Sequence, residues 1–170
     1  KMIYFSPRIA GFQLGTSLTP DTGVLGRYTP GTTGSIDNLW AFGANYVGRI
    51  GDVGLIIATT YKYSDDTDGR APANTANSNF SVWNAGVLAT WGGWSFAAGY
   101  EDDNDTFVPT SGAGSVAAGF DAGYHWNAGI GYRTGDWGLS AGYQYGQRNI
   151  GAGAQADVGV TVLGAQYAMA

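Results

Sequence analysis

Large or apolar side chains alternate with small or polar ones along residues 81–103, SVWNAGVLATWGGWSFAAGYEDD. Trp83, Ala85, Val87, Ala89 and Trp91 occupy every second position. After Gly92 and Gly93 the pattern resumes with Trp94, Phe96, Ala98 and Tyr100. A period of two marks a strand with unlike faces. The pattern recurs from end to end, and no stretch sustains the 3.6 spacing of a helix. It predicts an all-β chain of nine strands, at about 2–6, 12–19, 39–50, 53–63, 80–91, 94–102, 124–133, 137–146 and 158–168.

The connections alternate strictly between short and long. The short ones are SPRIAG (6–11), GD (51–52), GG (92–93) and GD (135–136). Two-residue links containing Gly are hairpin turns, because Gly supplies positive φ without steric cost. The long ones, 20–38, 64–79, 103–123 and 147–157, are rich in Gly, Ser, Thr, Asn, Asp and Pro. The short turns recur every 41 to 43 residues. A propeller blade has a similar period but needs four strands per unit. Two strands of about ten residues per unit predict an antiparallel up-and-down barrel whose two ends are unlike.

Residues flanking a two-residue turn pair and share a face, which fixes the faces of three hairpins. Ile50 and Val53, Trp91 and Trp94, and Thr134 and Trp137 start the count. Stepping by twos puts the six tryptophans, Trp40, Trp83, Trp91, Trp94, Trp126 and Trp137, on one face and no charge beside them. The other face receives Asn45, Arg49, Lys62, Asn84, Glu101, His125, Arg133 and Gln144, among many Gly and Ala. Trp91, Trp94 and Trp137 sit beside the short turns; Trp40, Trp83 and Trp126 sit at the opposite strand ends. Eight residues separate Trp83 from Trp91, roughly 26 Å at 3.3 Å per residue. Tilting shortens this to roughly 20 Å, comparable with the ~25 Å apolar band between the aromatic girdles of an outer-membrane barrel. A soluble barrel or sandwich with the aromatic face as its core shares the alternation. It would not segregate Trp and Tyr to both strand ends, and its wet face would carry more Lys and Glu. The aromatic face is therefore read as facing lipid.

Composition narrows the function. Charged residues make up 12% of the chain, against roughly 25% in a soluble domain. The 29 glycines and 14% aromatics argue against disorder. Cysteine is absent, which excludes disulfides and thiolate metal sites. A net charge of −5 with eight scattered basic residues speaks against nucleic acid as a partner. No apolar run approaches the roughly 18 residues of a spanning helix, which leaves a barrel open as the way across.

The opening stretch KMIYFSPRIAGFQLGTSLTPD resembles the general porins of Gram-negative bacteria, most closely those of the α-proteobacteria. The residues concerned are Tyr4, Ser6, Pro7, Gly11 and Phe12, then Thr19, Pro20 and Asp21. The resemblance implies an outer-membrane homotrimer of 16-stranded barrels with short periplasmic turns, long outer loops and an acidic inward loop facing a basic cluster. It implies partners in membrane lipid, lipopolysaccharide and small hydrophilic solutes, and ion and solute transport by passive diffusion. On this reading the nine strands match roughly the sixth to the fourteenth. Residues 1–170 then form one partial barrel domain continuing beyond both ends, and the constriction loop lies upstream of Lys1. The ending GAQYAMA, in place of a terminal aromatic, agrees with a fragment. The alternative is a small eight-stranded OmpA-like barrel with a structural or adhesive role, residues 1–11 then being a non-spanning extension.

For a porin the site is the pore lining. Arg49 and Arg133 are expected at the periplasmic mouth, Lys62, Glu101 and His125 near the outer mouth, and Asn45, Asn84 and Gln144 between them. Rings of charge set ion preference through their field. DDTDG (65–69) and EDDND (101–105) raise calcium in the outer loops, but the EF-hand spacing fails, with Ser64 first and Thr75 twelfth. A solvated loop is the simpler reading, and neither a metal site nor a cofactor is assigned. His125 is the one histidine, so no histidine pair or triad exists. No nucleophile–base set or phosphate-cradling glycine motif occurs, and the chain is not expected to be an enzyme.

Overall fold

The computed structural model describes residues 1–21, 37–64, 80–104, 120–150 and 154–168. They form one antiparallel sheet of nine strands in sequence order. The strands are β1 (Met2–Phe5), β2 (Phe12–Asp21), β3 (Asp37–Ile50), β4 (Val53–Ser64), β5 (Phe80–Trp91), β6 (Trp94–Asp102), β7 (Tyr124–Thr134), β8 (Trp137–Asn149) and β9 (Gln155–Tyr167). Each strand contacts only its neighbours in sequence, so among the described residues β1 and β9 are each paired along one edge. All nine expected strands are present. The main differences lie at β8, which runs on to Asn149, and β9, which begins at Gln155.

The short turns have the geometry their residues dictate. Gly92 and Gly93 both hold positive φ, 53° and 88°, as a type I′ hairpin requires. In the two Gly-Asp turns only the glycines are positive, Gly51 at 58° and Gly135 at 54°, as in type II′. The first connection is tighter than the six residues 6–11 suggest. Ile9 pairs with Phe12 around Ala10 and Gly11, again both at positive φ. Between that turn and β1 the chain bulges at Pro7, which has no N–H to give the ladder. Ser6 bridges the gap: its N–H donates to Leu14 O at 2.9 Å and its Oγ accepts from Leu14 N at 3.0 Å. Ser6→Ala leaves Leu14 N–H without that acceptor, for an expected loss of about 1 kcal/mol, readable by denaturant titration of the refolded protein in detergent.

The sheet has no core of its own. Among the described residues Val82, 6% exposed, is the one buried apolar side chain, while Phe12, Trp91, Phe96, Leu139 and many others stand open. A single sheet with one apolar face must bury that face against something, and the banding of the face says what. At the short-turn end Trp91, Trp94, Tyr132, Leu139 and Ala165 lie side by side through cross-strand pairing. At the far end Tyr61, Trp83, Asp102, Tyr124 and Gln147 do the same. Between them run Leu55, Ala89, Phe96, Ile130, Ala141 and Leu163. Two aromatic belts around an aliphatic band match a hydrocarbon layer with its two interfaces.

The far belt also satisfies its polar tips. Trp83 Nε1 donates to Thr59 Oγ1 at 3.0 Å, and the Tyr124 and Tyr145 hydroxyls donate to Gln147 Oε1 at 3.2 and 3.0 Å. One expectation is corrected here: the aromatic face is not free of charge. Asp102 pairs opposite Trp83 on that face, accepting from the Tyr100 hydroxyl at 3.1 Å and from Asn104 N at 2.8 Å. It stands at the last position of β6, where the interface rather than hydrocarbon surrounds it.

Candidate functional site

The polar face is organised in levels, because residues directly opposite across a ladder point the same way. Near the short turns one level carries Arg49, Thr90, Ser95 and Ser140, with glycines between. The next is apolar, running Val47, Ile56, Leu88 and Ala97. Above it lie Gln13, Asn45, Asn127 and Gln144. Further up, Thr60, Asn84, Glu101 and His125 follow one another across four adjacent strands. The same level continues as Gly43 and Gly15 towards β1, and as Gly146 and Val158 towards β9.

The Thr60–His125 level is a continuous polar ladder. Thr60 Oγ1 donates to Asn84 Oδ1 at 2.9 Å, and Asn84 Nδ2 donates to Glu101 Oε2 at 3.2 Å. Glu101 Oε1 lies 3.8 Å from His125 Nε2. One carboxylate oxygen of Glu101 is thus held by the amide while the other turns to the imidazole. Asp103 follows on the same face, its N–H donating to Gly123 O at 3.0 Å, which extends the β6–β7 ladder beyond the strand end. Partial burial pushes the Asp103 carboxyl up. Glu101 adds to the rise and His125 opposes it, with smaller effects from Asp102 and Lys62. The alternation of a strand therefore splits EDDND: Glu101 and Asp103 go to the polar face, Asp102 to the aromatic face. Asp105 and the whole of 65–69 lie outside the described residues.

All eight residues expected on the polar face are on it, at different heights. Glu101, Asn84 and His125 meet; Lys62 stands one level further out, opposite Val82. Asn45 and Gln144 share a level but have four strands between them. Arg49 reaches back to its own turn, donating to Asp52 O at 3.2 Å. Arg133 sits beside the last short turn, in a hollow of about 360 Å³ with Ser95, Ser140 and Gln166. Three further residues, Arg8, Arg148 and Thr60, escaped the sequence reading, and Asp103 entered it only as part of the acidic run 101–105. Arg8 joins Arg49 and Arg133 at the short-turn end, bonded to Gly11 O and Gln13 Oε1 at 2.7 and 3.0 Å. Arg148 enters the polar face because β8 is longer than expected, and with Asp103, His125 and Gln144 it lines a hollow of about 430 Å³. Thr60 carries the ladder, and Asp103 extends it.

This geometry suits a wetted wall: many small side chains, hydroxyls and amides, with isolated charges at both ends. Neither a curated protein nor a solved structure matches the chain. The family model for Gram-negative porins matches residues 1–170. With nine antiparallel strands in one sheet, aromatic belts on one face and polar residues on the other, the chain belongs to the Gram-negative porins, transport proteins that cross the bacterial outer membrane with the strands of a β-barrel.

Proposed function

We propose that the chain builds part of the wall of a passive, water-filled diffusion channel for small hydrophilic solutes and ions. The observation that carries this reading is the polar level Thr60–Asn84–Glu101–His125, unbroken across four strands of a sheet whose other face is banded for lipid. Solutes pass by size and charge: Arg8, Arg49 and Arg133 border the periplasmic mouth, and Lys62, Glu101, Asp103, His125 and Arg148 the outer one. Further strands on the free edges of β1 and β9 belong to the same reading, since every backbone N–H and C=O within hydrocarbon must find a partner. That supports a larger barrel, of 16 strands by family resemblance, over the closed eight-stranded alternative. The latter needs β2 beside β9 and residues 1–11 outside the sheet, whereas β1 pairs with β2 and β9 with β8. Trimeric assembly and contact with lipopolysaccharide complete the proposal on the resemblance alone.

The full-length protein, reconstituted in a planar bilayer, is expected to give stepwise ohmic conductance. Glu101→Lys is expected to shift the cation-to-anion permeability ratio roughly twofold towards anions at low salt, with the effect shrinking at 1 M salt. Absence of any conductance step from correctly folded protein would overturn the channel reading. An unchanged ratio in Glu101→Lys would remove Glu101 from the conducting path.

A further inference from the structure

Three donor groups, two carboxylates and an imidazole, converge at the outer end of the polar face. Glu101 and Asp103 stand two residues apart, so both carboxylates emerge on one side. His125 lies directly opposite Glu101 on β7. Opposite Asp103 is Gly123, whose carbonyl accepts the Asp103 N–H at 3.0 Å and so fixes Asp103 at the end of the β6–β7 ladder beside His125. One carboxylate oxygen from each acid and one imidazole nitrogen all lie within 4.8 Å of one another.

We propose that Glu101, Asp103 and His125 form a binding site for a first-row divalent cation of the zinc class. The donor set selects the metal. An imidazole nitrogen suits zinc and its neighbours, whereas calcium takes six to eight oxygens. Three protein ligands leave a fourth position for water or a passing anion. Ligands at about 2.1 Å around a tetrahedral ion stand roughly 3.4 Å apart, so no pair of the set closes by more than about 1.4 Å on binding. Glu101 and His125, at 3.8 Å, are nearly in place. The supporting shell is present too: Thr60 holds Asn84, and Asn84 holds the outer oxygen of Glu101, leaving Oε1 aimed inward. Two carboxylates turned to one corner repel each other, and a cation between them relieves that repulsion. Lys62 and Arg148 work against that cation from either side, across Val82 and Gly123.

Because His125 is the one histidine, ¹⁵N-histidine labelling of the full-length protein in detergent gives a single imidazole to watch. Titration with Zn²⁺ is expected to shift it saturably at one equivalent. Glu101→Gln and Asp103→Asn are each expected to weaken binding more than tenfold, and Asn84→Ala by roughly tenfold. Arg148→Gln is expected to tighten it. Asp103 lies beyond the strand end, so Asp103→Asn carries the comparison even if Glu101→Gln fails to fold. No shift up to millimolar Zn²⁺ overturns the site. So does unchanged affinity in the carboxylate variants, which would leave a lone surface histidine, or equal displacement by Ca²⁺, which would mean an oxygen-only site. The titration makes no use of conductance, so loss of this site and loss of the channel reading are separate results.

Discussion

Val87→Arg is expected to cost roughly 2–4 kcal/mol, while Leu88→Arg, one residue on, stays within about 1 kcal/mol. Val87 lies in the middle of β5 on the aromatic face, level with Ile57 and Ala98 and between the two belts. An arginine there must carry its charge to the hydrocarbon midplane or drag headgroups and water inward. Leu88 points the opposite way, level with Ile56 and Ala97. If that face lines water, its arginine stays solvated, and the change removes only a half-buried apolar side chain. Urea titration of both variants refolded into lipid bilayers reads the difference directly. Equal large costs would mean that both faces are dry, and the channel reading would fall with them. Equal small costs would mean that the aromatic face does not meet lipid.

The second large effect is local in origin. Gly123 enters β7 at φ +94°, and a Cβ built there would collide with Gln147 O and lie 2.7 Å from Arg148 Cβ. Gly123→Val combines a backbone conformation that β-branched residues avoid with a collision against the backbone of β8. The expected loss is on the order of 3 kcal/mol, seen as a lower midpoint of unfolding in detergent. Gly92→Ala is the control. Gly92 also has positive φ, 53°, but nothing lies within 4 Å of the added carbon. Its expected cost is the left-handed strain alone, about 1 kcal/mol. If the two variants lose equally, strain rather than close packing sets the requirement at Gly123.

The hairpins were legible because each two-residue glycine turn fixes which residues oppose each other. Ile50 with Val53, Trp91 with Trp94 and Thr134 with Trp137 are paired as the turns demand, and every tryptophan follows. The long connections offer no such anchor. Glu101 meets His125 across residues 103–123, and no local rule gives the register over that distance. The meeting therefore stayed hidden, and His125 read as partnerless. The same applies to β9, where Val158, Val160 and Val162 fall on the polar face while Gly159 and Thr161 fall on the aromatic one. Arg148 was missed for a simpler reason: the apolar pattern of β8 fades after Tyr145, but its backbone pairing with β9 continues to Asn149. Thr60 gave no signal at all, since one hydroxyl among small residues looks like filler until its acceptor is known.

Among the described residues every strand touches only the strand before it and the strand after it. No side chain of β3 depends on what β7 contains, and the short turns recur at nearly constant intervals along the chain. The gene for such a sheet can gain or lose a whole hairpin by duplication or deletion while leaving all other contacts untouched, much as a repeat array does. The bore of the channel is then an evolutionary variable that changes in steps of two strands, and the surviving hairpins need no new neighbours to accommodate it.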